Sequence, residues 1–107
     1  MLKFMVVIYR RPDLTSEQFR RHLAEVHAAL AKNLPGVRKY AQNYPIADPK
    51  RKAPQWSAIV ELYFDSWDAM EAAWATPQGA ASDADLSAFA DLSRTAWSVV
   101  EEITLLP

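Results

Sequence analysis

The chain has no cysteine among its 107 residues, which removes disulfides, thiolate catalysis and cysteine-based metal sites together. That absence suits a reducing compartment, and a cytoplasmic location is the expectation. Glycine is almost as scarce, with Gly36 and Gly79 the only two. A glycine-rich phosphate loop is therefore excluded, along with the nucleotide folds built on one. Long apolar runs are missing too. The opening stretch from Phe4 to Tyr9 spans six residues between Lys3 and Arg10-Arg11, too few for a signal-peptide core or a bilayer span. Neither sign of charge dominates: 12 basic and 13 acidic residues leave a net charge of −1. Nothing in that balance calls for nucleic acid or an anionic membrane as partner. What is present is half hydrophobic, enough for a single core, and one domain over residues 1–107 is expected.

Periodicity orders the elements. Residues 3–9 are β-rich and predict a first strand. Thr15 or Ser16 caps a helix in which Phe19, Leu23, Val26, Leu30 and Leu34 form one apolar stripe. Pro35-Gly36 stops it. A second strand is predicted over residues 37–44, a proline-containing loop with the basic run Lys50-Arg51-Lys52 over 45–55, and a third strand over 56–64. Ser66 caps a helix from Trp67 to about Ala75, Thr76-Pro77-Gln78-Gly79 interrupts it, and Ser82 with Asp85 makes a capping-box pattern that starts a further helical segment. Residues 95–105 predict the last strand. The order β-α-β-β-α-β predicts an α+β, ferredoxin-like fold: a four-stranded antiparallel sheet with its helices on one face.

Strand parity then assigns the faces. Phe4, Val6 and Ile8 suit the helices, as do Ala58, Val60, Leu62 and Phe64. In the second strand Val37 and Ala41 are expected to face the helices, with Arg38, Tyr40, Gln42 and Tyr44 pointing away. The open face would then hold Met5, Val7, Tyr9, Ile59, Tyr63, Tyr40 and Tyr44, an apolar and aromatic patch of the kind that marks a partner or ligand surface. A homodimer packed through these faces is the economical solution. It would enclose a partly polar cavity for a small-molecule ligand between sheet and partner.

His27 is one of only two histidines. It flanks the apolar stripe and suits proton transfer near neutral pH; a boundary histidine bonded to a backbone carbonyl is the other reading. His22 stands five residues earlier, about 140° away on a regular α-helix. The two are then unable to share a metal, no metal or other cofactor is expected, and His22 reads as a surface residue. Tyr40 could steady an oxyanion in the cavity or simply pack across strands. Tyr44 and Tyr63 carry the same two readings. Glu61 is either a pocket acid or the partner of Arg38 in a cross-strand bridge. Trp74 either faces the pocket between helix and sheet or belongs to the core. Lys50-Arg51-Lys52 is either a solvated loop or a lid that attracts anions.

Several stretches together resemble the EthD family (ethyl tert-butyl ether degradation) of the dimeric α/β-barrel superfamily. They are Tyr9-Arg10-Arg11-Pro12, Phe19-Arg20-Arg21-His22, Glu25-Val26-His27, Pro35-Gly36-Val37-Arg38-Lys39-Tyr40 with Gln42-Asn43, and Asp85-Leu86-Ser87-Ala88-Phe89-Ala90-Asp91. The resemblance implies a homodimer whose sheets form a barrel. Relatives in the superfamily include methylmuconolactone isomerases, fungal polyketide dehydratases or decarboxylases, and monooxygenases. In the first two branches a histidine matching His27 is the usual catalytic residue and a tyrosine matching Tyr40 a common companion. The chain departs from the pattern at Ala28-Ala29, where the family usually has Gly-Pro, and at Tyr44, where it often has a second histidine. The expectation is a cofactor-free isomerase, dehydratase or decarboxylase acting on a small apolar or aromatic carbonyl compound, with His27 moving the proton and Tyr40 beside it. Tyr44, Glu61, Tyr63 and Trp74 would contact the substrate. The alternatives are a non-catalytic binding or accessory protein and a cofactor-free monooxygenase.

Overall fold

The computed structural model describes every residue from Met1 to Pro107. Strand β1 (Leu2–Ile8) leads into a continuous helix made of α1 (Ser16–Arg21), a π-helical segment (His22–His27) and α2 (Ala28–Ala31). Strands β2 (Lys39–Asn43) and β3 (Ala58–Phe64) follow, then α3 (Trp67–Trp74), α4 (Pro77–Asp85), a 3-10 turn (Leu86–Ala88) and β4 (Ala96–Glu101). The sheet is antiparallel in the order β2-β3-β1-β4. This is the expected α+β ferredoxin-like arrangement. No helix is long and apolar enough to cross a membrane.

The core lies between the helices and one face of the sheet. Val6, Ile8, Ala58, Val60, Leu62 and Phe64 meet Phe19, Leu23, Met70 and Phe89 there, all nearly or fully buried. The alternation in β1 and β3 follows the predicted parity. That in β2 is reversed. Tyr40 stands opposite Leu62 and Gln42 opposite Val60, so Tyr40 and Gln42 share the helix face, while Lys39, Ala41 and Asn43 share the open one. Val37 does pack against the core, but it precedes the strand, just after Gly36 at φ 80°. The alternation begins only at Lys39, so counting from Val37 gives the wrong phase.

The first helix also departs from its predicted stripe. Its cap is as expected: the Thr15 hydroxyl accepts from Gln18 N, and the Gln18 side chain accepts from Thr15 N. Phe19 and Leu23 are buried, but Val26 is 47% exposed and His27 takes the inward position. The cause is the π-helical segment. Ala28 N donates to Leu23 O, five residues back, so the inward face arrives one residue late.

In the second crossover Ser66 caps α3 as expected, but α4 begins earlier than predicted. Thr76 caps α4 through its hydroxyl, which accepts from Gly79 N at 3.1 Å, and Pro77 occupies the first turn. Ser82 and Asp85 therefore sit inside and at the end of a helix rather than at its start. β4 is shorter than predicted, ending at Glu101.

Gly79 lets α4 fold back on α3. A Cβ there would lie 2.5 Å from Ala73 O and 2.7 Å from Trp74 Cα, inside any tolerable contact with backbone. Gly79→Ala is expected to destabilise the protein by about 1–3 kcal/mol. Urea unfolding checks this; a change within a few tenths of a kcal/mol would contradict the close approach.

Candidate functional site: two histidines on one carboxylate

The π-helical segment puts His22 and His27 on the same side of the helix. At roughly 80° per residue, five steps make one full turn and about 40° more, so the 140° separation of a regular α-helix does not apply. Both rings reach Asp85 at the end of α4. His27 Nδ1 lies 3.0 Å from Asp85 Oδ2, and His22 Nε2 lies 3.0 Å from both Oδ1 and Oδ2. Phe89 braces the pair, with its ring centroid 5.1 Å from each imidazole. His22 is thus half-buried and bonded, not the free surface residue expected. No group of three or more His, Cys, Asp or Glu side chains is arranged to hold a metal ion.

A cavity of about 310 Å³ opens beside His27. Its floor is the helix face of β1 and β3: Phe4, Val6, Ile8, Val60 and Leu62. Met70, Trp74, Ala31 and Leu86 form the helix side, and Trp67, Trp97 and Val99 stand at the mouth. Trp97 and Val99 lie on the helix face of β4, opposite Val6 and Phe4, yet Trp97 is 42% exposed. The helices cover three strands and leave this edge open. The cavity therefore lies between helices and sheet within one chain, not between the open sheet face and a partner as expected. The reason is the delayed phase of the first helix, which turns His27 inward, beneath the helices.

His27 is 6% exposed. Its Nδ1 is tied to Asp85, while Nε2 has no hydrogen-bond partner. The protein contains no buried side-chain nitrogen or oxygen lacking a partner, so Nε2 has open space, and the ring lines the cavity. Burial pushes the imidazole below its ordinary value of 6.5; the Asp85 carboxylate opposes that shift, and His22 reinforces it. A neutral ring donating from Nδ1 presents a free electron pair at Nε2.

Of the other predicted site residues, only Trp74 shares this cavity. It packs edge-on against Phe4 at 5.1 Å and Phe64 at 6.0 Å. Tyr40 is under the helices but does not line the cavity. It belongs to a chain in which Tyr44 donates to Gln42 Oε1, and Gln42 Nε2 donates to Tyr40 Oη at 2.8 Å and to Leu23 O at 2.9 Å. Burial raises the pKa of both phenols. Tyr44 also stacks under the Arg20 guanidinium at a separate polar hollow. Glu61 and Tyr63 lie on the open sheet face. Lys3 holds Glu61 at 2.6 Å and lowers its pKa, while Tyr63 donates to Glu102. Arg38 pairs with Asp65 at 2.7 Å instead of Glu61, because it precedes Lys39, which stands opposite Tyr63, and so lies at the Asp65 end of β3, whereas Glu61 stands opposite Ala41. Sequence reasoning missed Asp85 as a site residue. Its spacing from Ser82 imitates a capping box, whereas Thr76-Pro77 carries the true start signal.

The four-stranded antiparallel sheet, with a histidine–carboxylate pair beside a cavity under its helices, makes this a small ferredoxin-like α+β protein. The EthD domain family model matches residues 11–93, and the chain belongs to that family. An EthD family protein from Bacillus halodurans has a similar structure, with a TM-score of 0.81 and 24% identity over 96% of this chain and 100% of that one. A dimeric ferredoxin-like protein of unknown function from Bacteroides fragilis matches with a TM-score of 0.69 and 18% identity, covering 94% of this chain and 95% of its own. SnoaB, a cofactor-independent oxygenase from Streptomyces nogalater, has a TM-score of 0.68 and 16% identity, with 99% of this chain and 96% of that one covered. These likenesses show a shared fold. Comparison with curated proteins finds no significant match.

The depressed His27 pKa has a consequence for stability. In the unfolded chain the ring protonates near its ordinary 6.5, and in the folded protein only at lower pH. Between those values the unfolded state binds more protons, so stability falls as pH drops through that window and levels off below it. Urea unfolding from about pH 7.5 to about pH 5.5 should show this loss, and His27→Gln should show less of it. An equal loss in both proteins would contradict the buried neutral imidazole.

Proposed function

We propose that the protein is a cofactor-free enzyme that removes a proton from a small, uncharged apolar or aromatic carbonyl compound, with His27 Nε2 as the base. The observation that carries this reading is a buried imidazole, bonded through Nδ1 to Asp85 and held below its ordinary pKa by burial, that lines an apolar cavity. The cavity is at the small end of ligand pockets. Its tryptophans and Phe4 suit a planar ring. No lysine or arginine lines it, while Glu71 and Asp83 do, so a carboxylate-bearing substrate would meet charge of its own sign. Proton removal next to a carbonyl leaves an enolate, and Asp85 favours the imidazolium that forms. Returning the proton to another atom gives isomerisation, and expelling a leaving group gives dehydration. Capture of the carbanion by dioxygen would give cofactor-free oxygenation. Tyr40 acts at one remove in this reading: its chain through Gln42 to Leu23 O steadies the π-helical segment that carries His27.

Nitrobenzisoxazole tests base strength without knowledge of the natural substrate. Removal of its ring proton breaks the N–O bond and releases a coloured cyanonitrophenolate. The protein should accelerate this opening, His27→Gln should lose about 10²–10⁴-fold in kcat/KM, and a carboxylate-bearing probe should react more slowly. Equal rates with and without His27 would overturn the catalytic reading and leave a binding protein.

We also infer a homodimer through the open sheet face. Met5, Val7, Ile59, Ala41, Ala96 and Val100 share that face, and the Bacteroides fragilis neighbour, described as dimeric, supports the reading. Sedimentation at micromolar concentration should show a dimer that Ile59→Lys dissociates. A stable monomer of the unaltered chain would contradict it.

A further inference from the structure

His22 takes no part in the proton abstraction proposed above, yet it is built into the site. Its Nε2 bridges both oxygens of Asp85 at 3.0 Å, while the same carboxylate receives His27 Nδ1. The two rings face different surroundings. The His22 side chain is 27% exposed and that of His27 is 7% exposed, with Asp85 between them at 14%. His22 Nδ1 has no protein partner and is not among buried unpaired atoms, so it meets solvent. One carboxylate thus serves a solvent-side imidazole and a cavity-side imidazole.

We propose that His22 is a positioning residue for His27: it holds the Asp85 carboxylate in line with His27 Nδ1 and, when it takes a proton from solvent, draws that carboxylate's charge away from the cavity histidine. This rests on the reading of His27 as the base. With both rings neutral, Asp85 donates its whole charge to support a His27 imidazolium, and the base is at its strongest. With His22 protonated, the carboxylate is already neutralised, and a second proton on His27 is opposed by like charge about two hydrogen bonds away.

Few other charges bear on the unit. Glu71 and Asp83 line the cavity. Arg11 donates to the carbonyls of Ser87 and Ala88, in the turn after Asp85, and is itself bound to Asp13. The strands beneath line the cavity only with uncharged side chains: Phe4, Val6, Ile8, Val60, Leu62, Trp97 and Val99. The π-helical segment gains a purpose in this account, since it is what brings histidines five residues apart onto one carboxylate.

Imidazole titration by NMR reads the effect without any substrate. His22→Gln keeps an N–H donor for Asp85 but cannot be charged, and His22→Lys is permanently charged. The His27 midpoint should move up in His22→Gln and down in His22→Lys, and Asp85→Asn should also lower it. The acid limb of the nitrobenzisoxazole profile should move in the same directions. A His22 that only packs on Phe89 would leave the midpoint in place or, by loosening Asp85, lower it in both variants; either result overturns the proposal. Its failure is separable from failure of the catalytic reading. An unmoved midpoint with His27→Gln inactive removes only the role of His22. Opposed shifts with His27→Gln fully active support that role and remove the catalysis.

Discussion

The Asp85 carboxylate holds the molecule's two crossovers together. It ends α4 and accepts from rings five residues apart on the first helix, so it fixes how one helical layer sits against the other. Two hydrogen bonds to a carboxylate in a half-buried place are stronger than neutral ones. Without them Asp85, with a 14% exposed side chain, would be left with a costly unpaired charge. The π-helical turn, normally a poor helix geometry, is retained where its odd register is the only one that brings both rings to this atom group. Gly79 serves the same end from the other side, by letting α4 lie directly on α3.

The cavity follows from that arrangement. Its walls are mostly core side chains, and the ring that Asp85 orients joins Glu71, Ser82 and Asp83 as its polar lining. A histidine on an open loop would be solvated and free to rotate. Here burial depresses its basicity, while the carboxylate restores part of it and selects which nitrogen carries the proton. The opposite sheet face is organised differently. Lys3 joins Glu61 and Glu102 at 2.6 and 2.7 Å at one end, and Met5, Val7 and Ile59 form an apolar band at the other. The apolar band on the open sheet face is thus separate from the cavity beneath the helices.

Much of this was legible in the amino-acid order. The strand pattern, the Thr15 cap and the Pro35-Gly36 stop led directly to the ferredoxin-like plan, and His27 stood out by rarity and position. The misassigned faces share one physical cause: a register that changes within or at the start of an element. A period of 3.6 places Val26 inward and His22 outward, and nothing in Glu25-Val26-His27-Ala28 announces a π-helical turn. Parity counted from Val37 misassigned Tyr40 and Tyr44, because the chain becomes a regular strand only at Lys39. Asp85 was visible as a short-range cap signal, but its true partners are 58 and 63 residues away, beyond any local rule.

The central claim is that His27 is a neutral ring donating through Nδ1 to Asp85, with Nε2 unprotonated and facing the cavity. Long-range proton–nitrogen correlation NMR of the folded protein near neutral pH distinguishes the two ring nitrogens directly. The account predicts a protonated Nδ1 and a bare, imine-like Nε2 for His27. A His27 with its proton on Nε2, or with both nitrogens protonated at that pH, would contradict it.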